Sequence, residues 1–252
     1  MEKEVLIKEY EIHYYEVDFR RQMKLTSLID FLGDVATCQS ELLGVGMDYL
    51  SANKLGWVLY KWDIKIHNYP KYGDKIKIKT TPYGFRRFYA YRTFEVFNEK
   101  GDLVAEAKSI WFLLNTERRR PVRIEKEFYD TYGIEEDCKD ILDIDDISKL
   151  EFVDEEKIFN VRYGDIDTNK HVNNSKYASW AIEVLPLDFI LNYKINSIKI
   201  TYQKETKYGD TISSKVQINR EDNRALCNHS IEDREGNVLA LMETSWELTE
   251  AR

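Results

Sequence analysis

The sequence is poor in the residues that mark several common classes of protein. It contains 3 cysteines in 252 residues, with no CxxC pair, so it indicates neither a disulfide framework nor a zinc cage. Its 4 histidines are isolated, and none falls in an HExxH or HxxxH pattern. We therefore expect no metal and no cofactor, and we expect the cysteines to be small buried side chains.

Long hydrophobic runs are also missing. The longest ones, such as Ser109 to Leu114, fall far short of the roughly 18 to 20 residues that a membrane helix needs. The opening residues Met1 to Glu4 do not resemble a signal or transit peptide. We therefore expect a cytoplasmic protein. The composition, with 43% hydrophobic and 33% charged residues, excludes collagen and disorder and indicates a substantial core.

The net charge of −8 argues against a nucleic-acid-binding protein. Between Glu125 and Glu156, 14 acidic residues outnumber 3 lysines and give a balance of −11, so the rest of the chain carries +3. This stretch lacks sustained hydrophobic periodicity and divides the chain almost in half. We interpret it as a linker between two domains.

The two halves resemble each other. Three segments recur in the same order, the first at an offset of 136 and the others at 135: Lys71–Asp74 as Lys207–Asp210, Asn98–Gly101 as Asp233–Gly236, and Ser109–Trp111 as Thr244–Trp246. Three collinear matches within one residue of register indicate an internal duplication.

Each half opens with the pattern of an amphipathic helix. Apolar residues recur at spacings of three and four from Leu25 to Leu43, which predicts a helix that Gly44 ends. A similar pattern from Tyr177 to Leu185 predicts a second helix, with Asn173 or Asn174 as its N-cap.

Strand patterns follow each helix. Period-two alternation predicts strands at Trp62–Ile66, Lys75–Lys79, Phe88–Phe97, Leu103–Leu114, Ile198–Gln203, Thr211–Ile218 and Val238–Leu248, with hairpin turns at Asn98–Asp102 and Asp233–Asn237. A long apolar helix followed by antiparallel strands predicts a sheet wrapped around a central helix. The expected fold class is α+β, a tandem (double) hotdog, although periodicity alone does not separate it from other α+β arrangements. We place an N-terminal hotdog at 1–124, the acidic linker at 125–156 and a C-terminal hotdog at 157–252.

The densest polar cluster, Arg162 to Asn174, lies just before the second predicted helix. A helix start presents unsatisfied N–H groups that stabilise negative charge, while nearby carboxylate, amide and imidazole groups can manage protons. Asp165, Asp167 and Asn169 resemble the first ligands of a calcium loop, but Lys170 occupies the position that needs glycine, which excludes calcium. A polar turn that only caps the helix is the alternative.

The segment from Asp167 to Tyr177, DTNKHVNNSKY, resembles the D-x-N-x-H-V-N-N-x-K-Y signature of acyl-ACP thioesterases. The segment YQKET from Tyr202 to Thr206 is similar to the Y-R-R-E-C segment of that family. First-half residues follow in the order that the family shows, namely Trp57-Val-Leu, Tyr69-Pro, Gly73-Asp74, Arg86-Arg87, Ser109–Trp111, Asn115 and Arg119-Arg120. The resemblance implies an enzyme that hydrolyses fatty acyl-ACP to free fatty acid and holo-ACP in fatty acid biosynthesis.

The resemblance and the chemistry of a thioester together assign four catalytic residues. Asp167 is the nucleophile or general base, Asn169 holds it or polarises the carbonyl, His171 is a hydrogen-bonding partner, and Glu205 positions or activates the water. Thr206 stands where the family often has cysteine, which disfavours a cysteine–histidine–asparagine mechanism.

Three alternatives remain open. The H-V-N-N tetrad alone also resembles single-hotdog acyl-CoA thioesterases, and enoyl hydratases of the same fold carry a related D-x-N-P-x-H pattern. This chain lacks that proline. A non-catalytic acyl-binding protein would keep the pocket without the catalytic set. Asn169, Glu205 and the duplication favour the carrier-protein branch.

The duplication indicates a single active site. At an offset of 148 residues, Phe19, Arg21 and Met23 align with Asp167, Asn169 and His171, respectively. This alignment predicts that the first copy lacks the carboxylate, the amide and the imidazole. We interpret the first copy as a degenerate site whose apolar residues build the acyl pocket. The offset between the copies is 148 before the helix but 136 at Lys71 and Lys207. This difference predicts about a dozen extra residues in the first copy, near Gly44 to Trp57.

Acyl carrier protein is acidic in the biology of this family, so the resemblance implies a basic docking surface. The main candidate consists of Arg118, Arg119, Arg120 and Arg123, and two further clusters are Arg20, Arg21 and Lys24, and Arg86 with Arg87. Solvated faces or partners for the acidic linker are the alternative for all three. Tandem fusion supplies the pairing that single hotdogs gain by dimerising, so the sequence allows a monomer or a homodimer.

Overall fold

The computed structural model of the protein describes residues 3–136, 141–168 and 170–249. The chain divides into two compact units, one of Met1–Lys61 and Ile66–Ile144, the other of Trp62–Lys65 and Asp145–Arg252. No helix among the described residues is long and apolar enough to cross a membrane.

The first unit is an antiparallel sheet with one long helix. Its elements are β1 (Leu6–Glu11), α1 (Leu25–Leu42), α2 (Met47–Ala52), β2 (Leu55–Ile66), β3 (Lys75–Arg86), β4 (Tyr89–Asn98), β5 (Leu103–Asn115), β6 (Arg120–Pro121) and α3 (Lys126–Tyr132). The strand order is β1-β3-β4-β5-β2, with β6 paired to β5. The buried face of α1 packs against β1 and β3.

The second unit repeats this plan. Its elements are β7 (Glu155–Asn160), α4 (Asn174–Glu183), α5 (Leu187–Asn192), β8 (Tyr193–Tyr202), β9 (Thr211–Glu221), β10 (Arg224–Asp233) and β11 (Val238–Leu248). The strand order β7-β9-β10-β11-β8 is that of the first unit, strand for strand. Because each sheet packs on its own helix, the described residues form a tandem hotdog of the α+β class, as the sequence predicts.

The predicted helix ends and hairpin turns are confirmed. Gly44, with a φ of 75°, follows α1, where a left-handed residue ends a helix without a Cβ clash. Asn173 caps α4. Asn98 and Asp233 close their hairpins through backbone bonds of 3.0 Å to Asp102 and Asn237.

The extra residues of the first copy lengthen its helix. Helix α1 has 18 residues and α4 has 10, so most of the insertion precedes Gly44 rather than following it. The predicted position, Gly44 to Trp57, is therefore wrong for most of it. The sequence comparison has no matching pair between the start of α1 and Lys71, so it could not place the insertion.

The strands predicted from alternation do not include β1, β6, β7 and β10. Asn228, His229 and Ser230 of β10 are all buried, so both faces of the strand are covered and its residues do not alternate. Several predicted strands are parts of longer ones, as in β2, which begins at Leu55 rather than at Trp62.

The stretch predicted as an acidic linker contributes to the core of the first unit. Helix α3 lies within it and buries Phe128 and Tyr132, and Ile134 is also buried. A short helix with two inward aromatic residues leaves too few repeats for a periodicity to be visible. Of the cysteines, Cys227 is buried as predicted, Cys38 is half-buried, and Cys138 lies outside the described residues.

Candidate active site

The loop between β7 and α4 is held in shape by its own backbone. Ile166 and Val172 form an antiparallel bridge, and the N–H of Asp167 donates to the carbonyl of His171 at 2.8 Å. The chain turns at Lys170, whose φ of 64° lies in the left-handed region. Asp167 and His171 therefore face each other across a tight loop.

The side chains of this loop meet a glutamate from the segment after β8. Oδ1 of Asp167 accepts the backbone N–H of His171 at 3.3 Å, and Nδ1 of the His171 ring lies 3.4 Å from Oε1 of Glu205. The side chains of His171 and Glu205 are 41% and 36% exposed, so both reach solvent. Three of the four predicted catalytic residues are thus together. The fourth, Asn169, lies outside the described residues.

The segment that carries Glu205 is fixed by the turn after it. The buried Thr206 donates from Oγ1 to Oδ2 of Asp210 at 2.9 Å, and the N–H of Lys207 donates to the same oxygen at 3.0 Å. The N–H of Val172 donates to the carbonyl of Thr206 at 3.5 Å, which ties this segment to the catalytic loop. The Thr206 hydroxyl therefore stabilises the turn that follows Glu205.

Asp165 is a supporting residue that the sequence did not reveal as such. Its side chain is 1% exposed, accepts the N–H of Arg162 at 2.8 Å and lies 3.8 Å from Nζ of Lys176. Burial alone raises the pKa of Asp165, but the hydrogen bonds and charge of Arg162, with the charge of Lys176, hold it below its ordinary value. The carbonyl of Asp165 also accepts the N–H of Asn173 at 2.8 Å, so this residue links the loop to the helix start.

Helix α4 begins directly after the loop. Oδ1 of Asn173 accepts the N–H of Ser175 at 3.0 Å and its hydroxyl at 3.2 Å, which satisfies one of the free donors of the first turn. The positive end of the helix dipole therefore lies next to His171, where it favours negative charge. No group of three or more His, Cys, Asp or Glu side chains within the described ranges is placed to hold a metal ion.

The first unit contains a loop of the same construction at an offset of 149 residues. In each unit a 3-10 turn, an antiparallel bridge and a left-handed residue occur in the same order: Tyr14–Glu16, Val17 with Met23, and Arg21 in the first; Tyr163–Asp165, Ile166 with Val172, and Lys170 in the second. The offset of 148 inferred from the sequence is therefore wrong by one residue. In the correct register the segment 13–24 shares only Tyr14 and Asp18 with its counterpart, as Tyr163 and Asp167, and two identities are too few to fix the register from the sequence.

The corrected register changes one conclusion. Asp18, not Phe19, is the counterpart of Asp167, so the prediction that the first copy lacks the carboxylate is wrong. Oδ1 of Asp18 accepts the N–H groups of Arg20 at 2.8 Å and Gln22 at 3.0 Å. The other positions differ, since Arg20, Gln22 and Tyr69 stand where the second copy has Asn169, His171 and Glu205.

The predicted docking arginines lie in the first unit. Arg118, Arg119, Arg120 and Arg123 are all exposed and follow the end of β5. The N–H of Arg118 donates to Oδ1 of Asn115 at 2.8 Å, and Arg119 has a φ of 50°. This cluster therefore extends from a defined turn through β6, and all four of its residues are exposed.

Known proteins resemble the chain over nearly its whole length. Residues 3–132 match the family model of the acyl-ACP thioesterase N-terminal domain, and residues 148–248 match that of the C-terminal domain. The acyl-[acyl-carrier-protein] hydrolase FATB1, chloroplastic, of Cuphea viscosissima is 24% identical over 94% of this chain. The chain spans 60% of the length of that relative.

Two solved structures have the same architecture. The crystal structure of a candidate oleoyl thioesterase from Lactobacillus plantarum is 27% identical, with a TM-score of 0.94 over 99% of this chain and 98% of that one. The crystal structure of an acyl-ACP thioesterase from Bacteroides thetaiotaomicron is 21% identical, with a TM-score of 0.83 over 96% of this chain and 98% of that one. The two domain matches, the tandem fold and the loop of Asp167, His171 and Glu205 lead to one conclusion: the chain belongs to the acyl-ACP thioesterase family.

Proposed function

We propose that the protein hydrolyses the thioester bond of fatty acyl-ACP and releases free fatty acid and holo-ACP for fatty acid biosynthesis. The observation that supports this most directly is the meeting of Asp167, His171 and Glu205 in the unit that matches the thioesterase C-terminal domain. A protein that only binds acyl chains needs none of these side chains.

In the proposed mechanism Glu205 activates the water. Its carboxylate takes a proton while the water oxygen adds to the carbonyl carbon, which gives a tetrahedral oxyanion. The C–S bond then breaks, and the proton passes to the thiolate of the carrier, so the products are the fatty acid and a free thiol. The ring of His171, whose Nδ1 lies 3.4 Å from Oε1 of Glu205, orients that carboxylate in this mechanism.

Asp167 and Asn169 complete the proposed set. The backbone bond from His171 holds Oδ1 of Asp167 in the loop, so this carboxylate has a fixed position, and it is the alternative to Glu205 as base, or the nucleophile in place of water. Asn169 supplies an amide N–H to the oxyanion or to Asp167, alongside the N-terminal end of α4.

We place the acyl chain in the first unit. A cluster of buried aromatic and aliphatic residues there includes Phe85, Leu113, Phe128 and Tyr132, with Trp57 packed against it. Apolar and aromatic walls are typical of lipid pockets, and the first unit has Arg20, Gln22 and Tyr69 in place of catalytic residues. This division leaves binding to one copy and chemistry to the other.

The proposed partner surface is the exposed turn that carries Arg118, Arg119, Arg120 and Arg123. Four cations in six residues give a strong local field despite the net charge of −8, and such a field favours an acidic carrier. We propose a cytoplasmic location for this reaction, which fractionation of cells that express the full-length protein would test.

The decisive experiment offers the purified protein a matched panel of acyl-ACP and acyl-CoA substrates and identifies the products by mass spectrometry. Free thiol and fatty acid from acyl-ACP are the expected result. Preference for acyl-CoA would assign the protein to the single-hotdog activity instead. Ligand-induced stabilisation without thiol release would indicate a non-catalytic acyl-binding protein.

A further inference from the structure

Arg92 is a cation on the inner face of the first sheet. It lies on β4 between Ala90 and Phe94, and the three side chains share one face because side chains alternate along a strand. Ala90 and Phe94 are buried. Nη1 of Arg92 donates to Oε1 of Gln39 on α1 and to Oγ1 of Thr80 on β3, the second at 2.9 Å. The charged side chain therefore extends into the space between the sheet and the helix.

No carboxylate among the described residues forms an ion pair with Arg92. Both oxygens that accept from Nη1 are neutral, and a third neighbour is the ring of Tyr132, whose centroid lies 5.8 Å from Cζ. The residue is half-buried, so part of its surface is accessible, and yet burial is the main cause that lowers the pKa of Arg92. Tyr132 raises this pKa in part. A cation held away from water with no counter-charge costs free energy unless an anion joins it.

The second copy shows that the fold does not require this charge. The paired strands β3 and β4 correspond to β9 and β10, and in that register Val216 and Cys227 are the counterparts of Thr80 and Arg92. Both counterparts are 0% exposed. Small or apolar side chains therefore fill these two places in the copy that has the catalytic side chains.

The other partners of Arg92 belong to parts of the first unit that the second copy lacks. Helices α1 and α4 begin at equivalent positions, but α1 continues for eight more residues, which include Gln39 and Ser40. Tyr132 lies on α3, and the described residues of the second unit have no helix after β11. The hydroxyl of Tyr132 and Oγ of Ser40 lie 2.8 Å apart. The helix extension, α3 and Arg92 thus meet in one polar network that is specific to the first copy.

This network borders the apolar cluster in which we place the acyl chain. Tyr132 and Ala90 both belong to that cluster, and Trp57 and Trp111 pack against it while remaining only partly buried. The first unit therefore brings a cation next to apolar and aromatic side chains. Such a pairing matches an anion that carries a long apolar tail.

We propose that Arg92 binds a carboxylate at the end of an alkyl chain, with the chain itself in the apolar cluster of the first unit. The planar guanidinium is suited to a carboxylate because its N–H groups match the two oxygens. Two molecules carry this chemistry: the free fatty acid, which would then act as a product inhibitor, and an acyl-ACP whose chain ends in a second carboxylate. The inference rests on the proposed function, which places the acyl chain in this unit.

The first test compares each fatty acid from decanoate to palmitate with the alcohol of the same chain length. Isothermal titration calorimetry at pH 7.5, below the micellar concentration, measures both affinities. We expect the wild-type protein to bind the acid roughly tenfold more tightly, because the acid forms charge-assisted hydrogen bonds. Arg92→Met should bind acid and alcohol equally. Lys77→Met removes a cation from the exposed face of β3 and should keep the wild-type preference.

Steady-state kinetics distinguish the two sources of the carboxylate. Competitive inhibition of acyl-ACP hydrolysis by the free fatty acid, lost in Arg92→Met, would identify the product as the ligand. Faster hydrolysis of an acyl-ACP with a terminal carboxylate than of its methyl-ended equivalent would identify the end of the substrate. Either result supports a carboxylate site at Arg92.

Equal affinities of the wild-type protein for acid and alcohol overturn the inference, and this comparison needs no variant, so it holds if Arg92→Met does not fold. A preference for the acid that Arg92→Met retains overturns it as well. A wild-type protein that prefers the acid but hydrolyses no thioester would overturn the proposed function and support the carboxylate site.

Discussion

Asp18 and Asp167 hold the backbone of the two equivalent loops in the same way. Oδ1 of Asp18 accepts the N–H of Gln22 at 3.0 Å, and Oδ1 of Asp167 accepts the N–H of His171 at 3.3 Å. The shared bond shows that this aspartate stabilises the loop backbone in both copies. Substitution of Asp18 therefore measures the structural effect of losing the carboxylate, separately from the catalytic effect proposed for Asp167.

Asp167→Asn should lower kcat for acyl-ACP by at least roughly a hundredfold without unfolding the protein. The amide oxygen still accepts the N–H of His171, so the loop keeps its shape while the charge is lost. Asp18→Asn makes the same change in the first copy and should leave kcat unaltered. Steady-state kinetics and thermal melts of both variants check this. Wild-type turnover by Asp167→Asn would remove the carboxylate from the catalytic set.

Glu205→Ala should also lower kcat by at least roughly a hundredfold, with KM for acyl-ACP little changed, because the water loses its base. Glu205 lies in a connecting segment and is partly exposed, so stability should change little. Glu247→Ala, at an exposed position of β11, is the matched control and should behave as wild type. A Glu205→Ala variant with full activity would assign the activation of water to another residue.

Thr206→Ala should keep most of the hydrolytic rate. Its hydroxyl donates to Asp210 within a turn, so the main cost is about 1 kcal/mol of unfolding free energy from one lost hydrogen bond. Urea denaturation and kcat measured on the same preparation separate these effects. A loss of kcat by orders of magnitude with the fold intact would instead identify a nucleophile at this position.

The protein should lose stability in mild acid because of His229. This side chain is 0% exposed, its Nε2 lies 2.9 Å from Oγ1 of Thr244, and its Nδ1 has no hydrogen-bond partner among the described residues. Burial lowers the pKa of His229 to about 3, whereas the unfolded chain has a value near 6.5. The unfolded state therefore binds the proton first, and stability falls as the pH drops below about 6.5.

The size of this effect follows from the two pKa values. At pH 5 the loss due to His229 is about 2 kcal/mol relative to neutral pH. His229→Phe should remove it, because Phe94 is the buried counterpart in the first copy. Urea denaturation of both proteins at pH 7.5 and pH 5 tests the prediction. An equal acid loss in the variant would show that other groups cause it.

Replacing Arg118, Arg120 and Arg123 by glutamate should raise KM for acyl-ACP by roughly tenfold while leaving KM for acyl-CoA unchanged, because only the carrier has an extended acidic surface. The wild-type KM for acyl-ACP should also rise with salt. A variant with Lys77→Glu, Lys100→Glu and Lys108→Glu, all at exposed sites, makes the same change in net charge and is the control. A salt-insensitive KM would contradict docking through this turn.

The sequence predicts most of the fold where local rules govern it. Asn173 caps α4 and Gly44 follows α1 because cap chemistry depends on a few neighbouring residues. Strand β10 was missed because it is buried on both faces, which depends on tertiary packing. The insertion was placed after α1 rather than within it, because no matched residues bracket the end of that helix.

The catalytic residues are predictable in part, because residue type and the family signature can be read from short segments of the sequence. Asp167, His171 and Glu205 stand out by residue type and by the family signature, and they do meet. Asp18 was missed because a one-residue register is fixed by backbone bonds that the sequence does not display. His171 and Glu205 come from segments about thirty residues apart, which only the folded chain brings together.

The repeated loop frame also bears on how such a protein can evolve. Its shape depends on backbone bonds and one aspartate, so the residues it presents can be exchanged without rebuilding it. Positions 20 and 22 have already diverged on an intact frame. Gene duplication has thus left a second loop of the same backbone shape in the first unit. Selection or protein engineering can introduce new catalytic residues there, while the loop of the second unit keeps its own.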